Sequence, residues 1–72
     1  MFDPKLGDVL LRGSDGQYFV LDAVTEKHIA GPVHLSLAIQ LARAQGPGTI
    51  WQQNTDERGR PVSPPLRIPV AL

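Results

Sequence analysis

The stretch "EKHIAGPVHLSLAIQLARAQG", from Glu26 to Gly46, decides how the chain is built. Its second half has helical spacing. Its first half sets His28 and His34 on either side of a Gly-Pro pair. Pro32 suits the first turn of a helix, where its missing N–H costs nothing. Gly46 suits the left-handed residue after a last turn, and Pro47 blocks continuation. The spacing predicts a helix over 33–45, with "TEKHIAGP" as the segment leading into it. Ser36 is a better cap than His34, because a hydroxyl accepts readily from the free amides of a first turn.

At roughly 100° per residue, Leu35, Ala38, Ile39 and Ala42 share one side. That side is the core face. Ser36, Gln40 and Arg43 make a narrow polar stripe. Val33, Leu37, Leu41 and Ala44 make a second apolar strip. A helix on the surface of a monomer usually has a wider polar face. Either other residues of the same chain cover this strip, or a second copy does.

Upstream, "GDVLLRG" reads as a strand and "GSDG" as a tight turn, since Gly accepts positive φ at little cost. "QYFVLDAV" is the clearest strand. Tyr18, Val20, Asp22 and Val24 face one way, and Phe19, Leu21 and Ala23 the other. Both faces are apolar, so one covers the helix and the other needs a cover of its own, the tail or a partner. Downstream, "GTIWQQN" (Gly48 to Asn54) is a third strand and "TDERG" a polar loop. The segment "RPVSPPLRIPVAL" holds four of the seven prolines. Beyond Pro65, Leu66, Ile68, Val70 and Leu72 alternate with Arg67, Pro69 and Ala71. Pro69 has no N–H for a ladder, so an edge strand is all this arm allows.

The order is strand, strand, helix, strand. The expected fold is α+β: a small three-stranded, mostly antiparallel sheet with one helix on one face, and room for a C-terminal edge strand. Residues 1–62 form the domain and 63–72 a Pro-rich arm. The third strand can join either hairpin strand. Phe19, Val20, Leu21, Leu35, Ile39 and Trp51 are the expected core.

The stretches "GQYFVLD", "LAIQLARAQG" and "GTIWQQNTDERGR" give this layout a resemblance, over residues 8–60, to a family of small, functionally uncharacterised bacterial domains of ββαβ form. The chain departs from that family in its longer turn and its prolyl arm. The resemblance implies the fold and no activity.

Composition narrows the function. At 72 residues the chain is one domain, and a chain this short buries only about 60% of its unfolded surface. It has no cysteine, so neither a disulfide nor a thiolate metal site can staple it. Seven Lys and Arg balance seven Asp and Glu, whereas a dedicated nucleic-acid binder is normally basic. No apolar run approaches the roughly 18 residues of a membrane span, and "MFDPKLGDVL" does not read as a secretion signal. A soluble cytoplasmic protein of bacterial style is expected, without a membrane partner.

The residues of chemistry are sparse. His28 and His34 stand six positions apart, and neither has a carboxylate at helical spacing, so no metal site is expected and a hydrogen-bonding role is the simpler reading. Ser14, Ser36 and Ser63 lie in no nucleophile motif. Asp15, Asp56 and Glu57 sit in turns, which carboxylates commonly form. Arg58 to Pro64 spells R-x-x-P-x-x-P, a short polyproline pattern that more simply is a stiff linker. No catalytic residue and no cofactor is expected. The favoured reading is a non-enzymatic interaction module that forms a homodimer through Val33, Leu37, Leu41, Leu66, Ile68 and Val70. The alternative is an accessory protein for single-stranded nucleic acid, stacking a base on Trp51 and meeting phosphate with Arg43, Arg58 and Arg60.

Overall fold

A computed structural model describes residues 2–14, 16–46 and 48–68. The first two strands form the hairpin that their turn residues predict. Strand β1 (Val9–Ser14) pairs antiparallel with β2 (Gln17–Asp22), Leu11 opposite Val20. Gly16 carries φ +77 in the turn between them, a conformation that only glycine adopts without strain.

The next element departs from expectation. His28–Val33 does not lead into the helix but forms strand β3, antiparallel to β2. Asp22 makes the turn that sends it back. Its Oδ1 accepts from the N–H groups of Val24 (2.8 Å) and Thr25 (3.0 Å). Those bonds, first Thr25 and then Val24, hold its carboxyl below the ordinary aspartate value. Glu26 completes the turn at φ +61. Strand β3 is irregular, with register shifts against β2 around Val20. Gly31 has φ +107, and a Cβ there would lie 2.6 Å from the Tyr18 carbonyl oxygen. The Gly31-Pro32 bond is cis. Gly31 thus lets β3 lie close against β2, and Pro32 is tolerated because β3 is an edge. The missed strand follows from this: its alternation is broken by the two residues that make its geometry work.

Helix α1 is Leu35–Ala44, slightly shorter than the expected 33–45. His34, not Ser36, stands at the N-cap, and it makes no side-chain capping bond. Strand β4 (Ile50–Asn54) then runs parallel to β1, with Leu10 beside Trp51. The third strand of the sequence reading therefore joins the first hairpin strand. A turn over 55–61 brings the chain back, and Leu66–Arg67 forms a short strand β5 antiparallel to β4. Asp56 caps that turn, its Oδ1 accepting from Arg58 N–H at 2.8 Å and Arg60 N–H at 2.9 Å.

The α+β class holds, but three strands was an undercount. The sheet has five, in the order β3-β2-β1-β4-β5, and is mixed. Strand β3 runs parallel to β4, so α1 crosses over β2 and β1 as it links them.

Strand alternation divides the sheet into two faces. Val9, Leu11, Tyr18, Val20 and Ile50 point to the helix and pack on Ala38 and Ala42. The small alanines let the helix axis approach closely. Leu35 and Ile39, expected in the core, are half-buried at its rim. On the other face Leu10, Leu21, Ala23 and Trp51 form a second cluster, with Phe2 packed against it. Phe19 shares this face and is not core: it is 42% exposed. The sequence shows that Phe19 and Val20 face opposite ways, and among the described residues no helix covers the Phe19 side.

Candidate interaction surface

The face without the helix is built around one tryptophan. Trp51 is the second residue of β4 and only 6% exposed. Its cover is an N-terminal segment, not a regular element. Phe2 meets the indole edge to face, ring centres 4.9 Å apart and planes at 87°. From above, the guanidinium of Arg67 on β5 lies 5.8 Å from the ring centre, within reach of a cation–π attraction.

Asp8 fixes this arrangement. It is buried just before β1. Its Oδ2 accepts from the indole Nε1–H of Trp51 (3.1 Å) and the backbone N–H of Lys5 (3.0 Å). Its Oδ1 accepts from Thr49 N–H at 2.9 Å. Burial acts to raise the Asp8 carboxyl pKa, but the bonds from Lys5, Trp51 and Thr49 together outweigh it and leave the value below the ordinary one. One carboxylate thus ties the N-terminal segment, the entry to β4 and the indole together. The sequence reading missed Asp8. The available signal was an aspartate directly ahead of an apolar strand in a chain with a single indole N–H to satisfy.

Next to Trp51 the same face turns polar. Arg12 donates from Nε to Gln53 Oε1 at 2.9 Å, and its Nη2 lies 2.8 Å from Glu26 Oε1. Gln53 in turn donates to the Ser63 carbonyl at 3.1 Å. Phe19 lies beyond Arg12, in edge contact with His28 at 5.7 Å between ring centres. The Nε2 of His28 is 3.2 Å from the Gly31 carbonyl oxygen and donates to it in the tautomer that carries its hydrogen on Nε2. That is a structural use of His28 on an edge strand. His34 lies elsewhere, its ring close to Gly16 in the hairpin turn. A shallow groove of about 210 Å³ runs beside Phe19, walled by Arg12, Gln17, Thr55 and Glu57. Among the described residues no three His, Cys, Asp or Glu side chains gather as metal ligands, and no helix is long and apolar enough to cross a membrane.

The residues expected to self-associate are dispersed. Val33, Leu41 and Ile68 pack, half-buried, against the helix-side core. Leu37 is exposed on the outer side of α1, and Leu66 on β5 is 64% exposed. Val70 lies outside the described residues. The nucleic-acid set is dispersed too. Arg43 is in the last turn of α1, on the helix side, while Trp51 faces the opposite way. Arg58 and Arg60 sit in the turn after β4, where their backbone amides bond Asp56. The polyproline-like segment lies along β4, Val62 N–H donating to the Asn54 carbonyl at 3.0 Å.

Compared with known protein families, curated proteins and solved structures, the chain matches none.

Proposed function

We propose that this chain is a small non-enzymatic interaction module that self-associates through its helix-free sheet face. The observation that supports this most is Phe19. A large aromatic ring on β2, next to the edge strand, stays 42% exposed in a domain whose largest fully buried side chains are only Leu10, Leu11 and Val20. Aromatic residues at the centre of a surface patch are the usual anchors of protein contacts. The carboxylates offer little to catalysis: Asp8, Asp22 and Asp56 each accept backbone N–H bonds that hold turns and strand ends. Sedimentation equilibrium at micromolar concentration tests the reading. A species of twice 7.8 kDa is expected, and a single monomer at every concentration rejects it. Titration with single-stranded DNA and RNA is the companion measurement. Tight binding that weakens steeply with salt would favour the nucleic-acid alternative.

A further inference from the structure

We infer that residues 2–4 form a hinged lid over the Trp51 ring, which opens as a unit of its own while the turn behind it, residues 5–8, stays closed on the indole N–H.

The two parts are held by different means. The turn is fastened at several points. Asp8 N–H bonds the Lys5 carbonyl at 2.9 Å, and Lys5 N–H bonds Asp8 Oδ2 in return. Asp8 Oδ1 takes Thr49 N–H, and the Thr49 carbonyl takes Val9 N–H at 3.0 Å. Gly7 makes the turn at φ +94. The chain entering β4 lies directly against it: a Cβ on Gly48 would collide with the Gly7 carbonyl oxygen. Opening this turn means pulling the entry to β4 away from the start of β1.

The lid has one fastening. Among the described residues, Phe2, Asp3 and Pro4 make no backbone hydrogen bond. Asp3 is exposed, and what holds the segment down is the Phe2 ring, its centre 4.9 Å from that of Trp51. A segment with one apolar contact and no ladder opens at a far lower free energy than the strands beneath it. Pro4 lies between the ring and the turn, its φ fixed near about −65°. The lid therefore has few open conformations and recloses readily. Opening uncovers an indole that is 6% exposed when closed, and leaves Arg67 above its face and Asp8 on its N–H.

Trp51 reports on both parts, since Phe2 covers its ring and Asp8 holds its N–H. Acrylamide quenching of its fluorescence reads the lid, and hydrogen exchange of the indole N–H, followed by NMR, reads the turn. Phe2→Ala should raise the quenching several-fold and leave the indole exchange rate nearly unchanged. Pro4→Ala leaves the Phe2 ring in place and widens the open state; it should raise the quenchable fraction by about two- to five-fold. Asp8→Asn should speed indole exchange and raise quenching together. In the wild-type chain, quenching should climb in urea well below the concentration at which circular dichroism reports loss of the sheet. If Phe2→Ala leaves quenching unchanged, Phe2 is not the cover and the lid is refuted. Indole exchange that accelerates in Phe2→Ala in step with quenching refutes separate opening, as does one urea transition shared by quenching and circular dichroism. A Pro4→Ala chain quenched no more than wild type refutes the hinge. Should Phe2→Ala not fold, Pro4→Ala and the wild-type urea series decide the matter without it.

Discussion

The two faces of the sheet bury similar side chains by different means. On the helix side, Val9, Leu11, Val20 and Ile50 lie under Ala38 and Ala42, a regular element supplying the cover. On the other side, Leu10, Leu21 and Trp51 lie under Phe2, an irregular segment anchored by one carboxylate. A helix satisfies its own backbone and brings only side chains to the contact. An irregular strap leaves backbone amides in need of acceptors. That is why the open face contains a buried aspartate and the helix face needs none. It also fits the exposure of Phe19: the described part of the strap packs on the Trp51 cluster, not on Phe19.

That contrast can be broken by substitution. The largest effect belongs to the helix face. Leu11 is fully buried, and Leu11→Ala should cost about 2–5 kcal/mol. Against a total stability of about 5 kcal/mol for a marginal domain, a loss at the top of that range would leave about half of the molecules unfolded at room temperature. Phe19→Ala deletes a larger side chain but should cost less, since its ring is already part in water. Thermal melts followed by circular dichroism compare the two, and equal losses would mean that the faces are not energetically distinct.

Next in size is Asp8→Asn. The amide can still accept through its oxygen, but its NH2 then faces one of the donors that the carboxylate served. A loss of about 1–3 kcal/mol is expected, with the single Trp emission shifting to the red as the strap loosens. The pH dependence has a definite sign. The folded-state pKa of Asp8 lies below its ordinary value of 3.8. Its stabilisation is therefore complete above that value and is lost as pH falls through the folded pKa. Asp22 contributes in the same sense. Asp8→Asn should flatten the acid limb of the melting curve without abolishing it; a limb parallel to wild type would remove Asp8 from the account.

The smallest effect is expected at Glu26. Its left-handed backbone, φ +61, costs an ordinary residue about 1 kcal/mol that glycine avoids. Its exposed ion pair with Arg12 is worth about 0–1 kcal/mol. Glu26→Gly should leave the denaturant midpoint nearly unchanged. A clear loss would show that the pair is stronger than its exposure suggests.

What the sequence determined by itself was local. Alternation in "QYFVLD" separated Val20 from Phe19 onto opposite faces, glycine and aspartate placed the first hairpin turn, and the i, i+3, i+4 spacing located α1 and its buried alanines. These signals arise from one strand or one helix and its own period. The tertiary structure decided the rest, because each remaining feature depends on a neighbour distant in the chain. Strand β3 exists through the backbone of Tyr18, which Gly31 alone can approach so closely. Strand β4 chose β1 over β2 as its neighbour, a matter of how α1 crosses the sheet. Asp8 became a structural acceptor only when Thr49 and Trp51, more than forty positions away, arrived beside it. A two-residue period states that a strand has two faces; what covers each face is decided only when the chain closes over it.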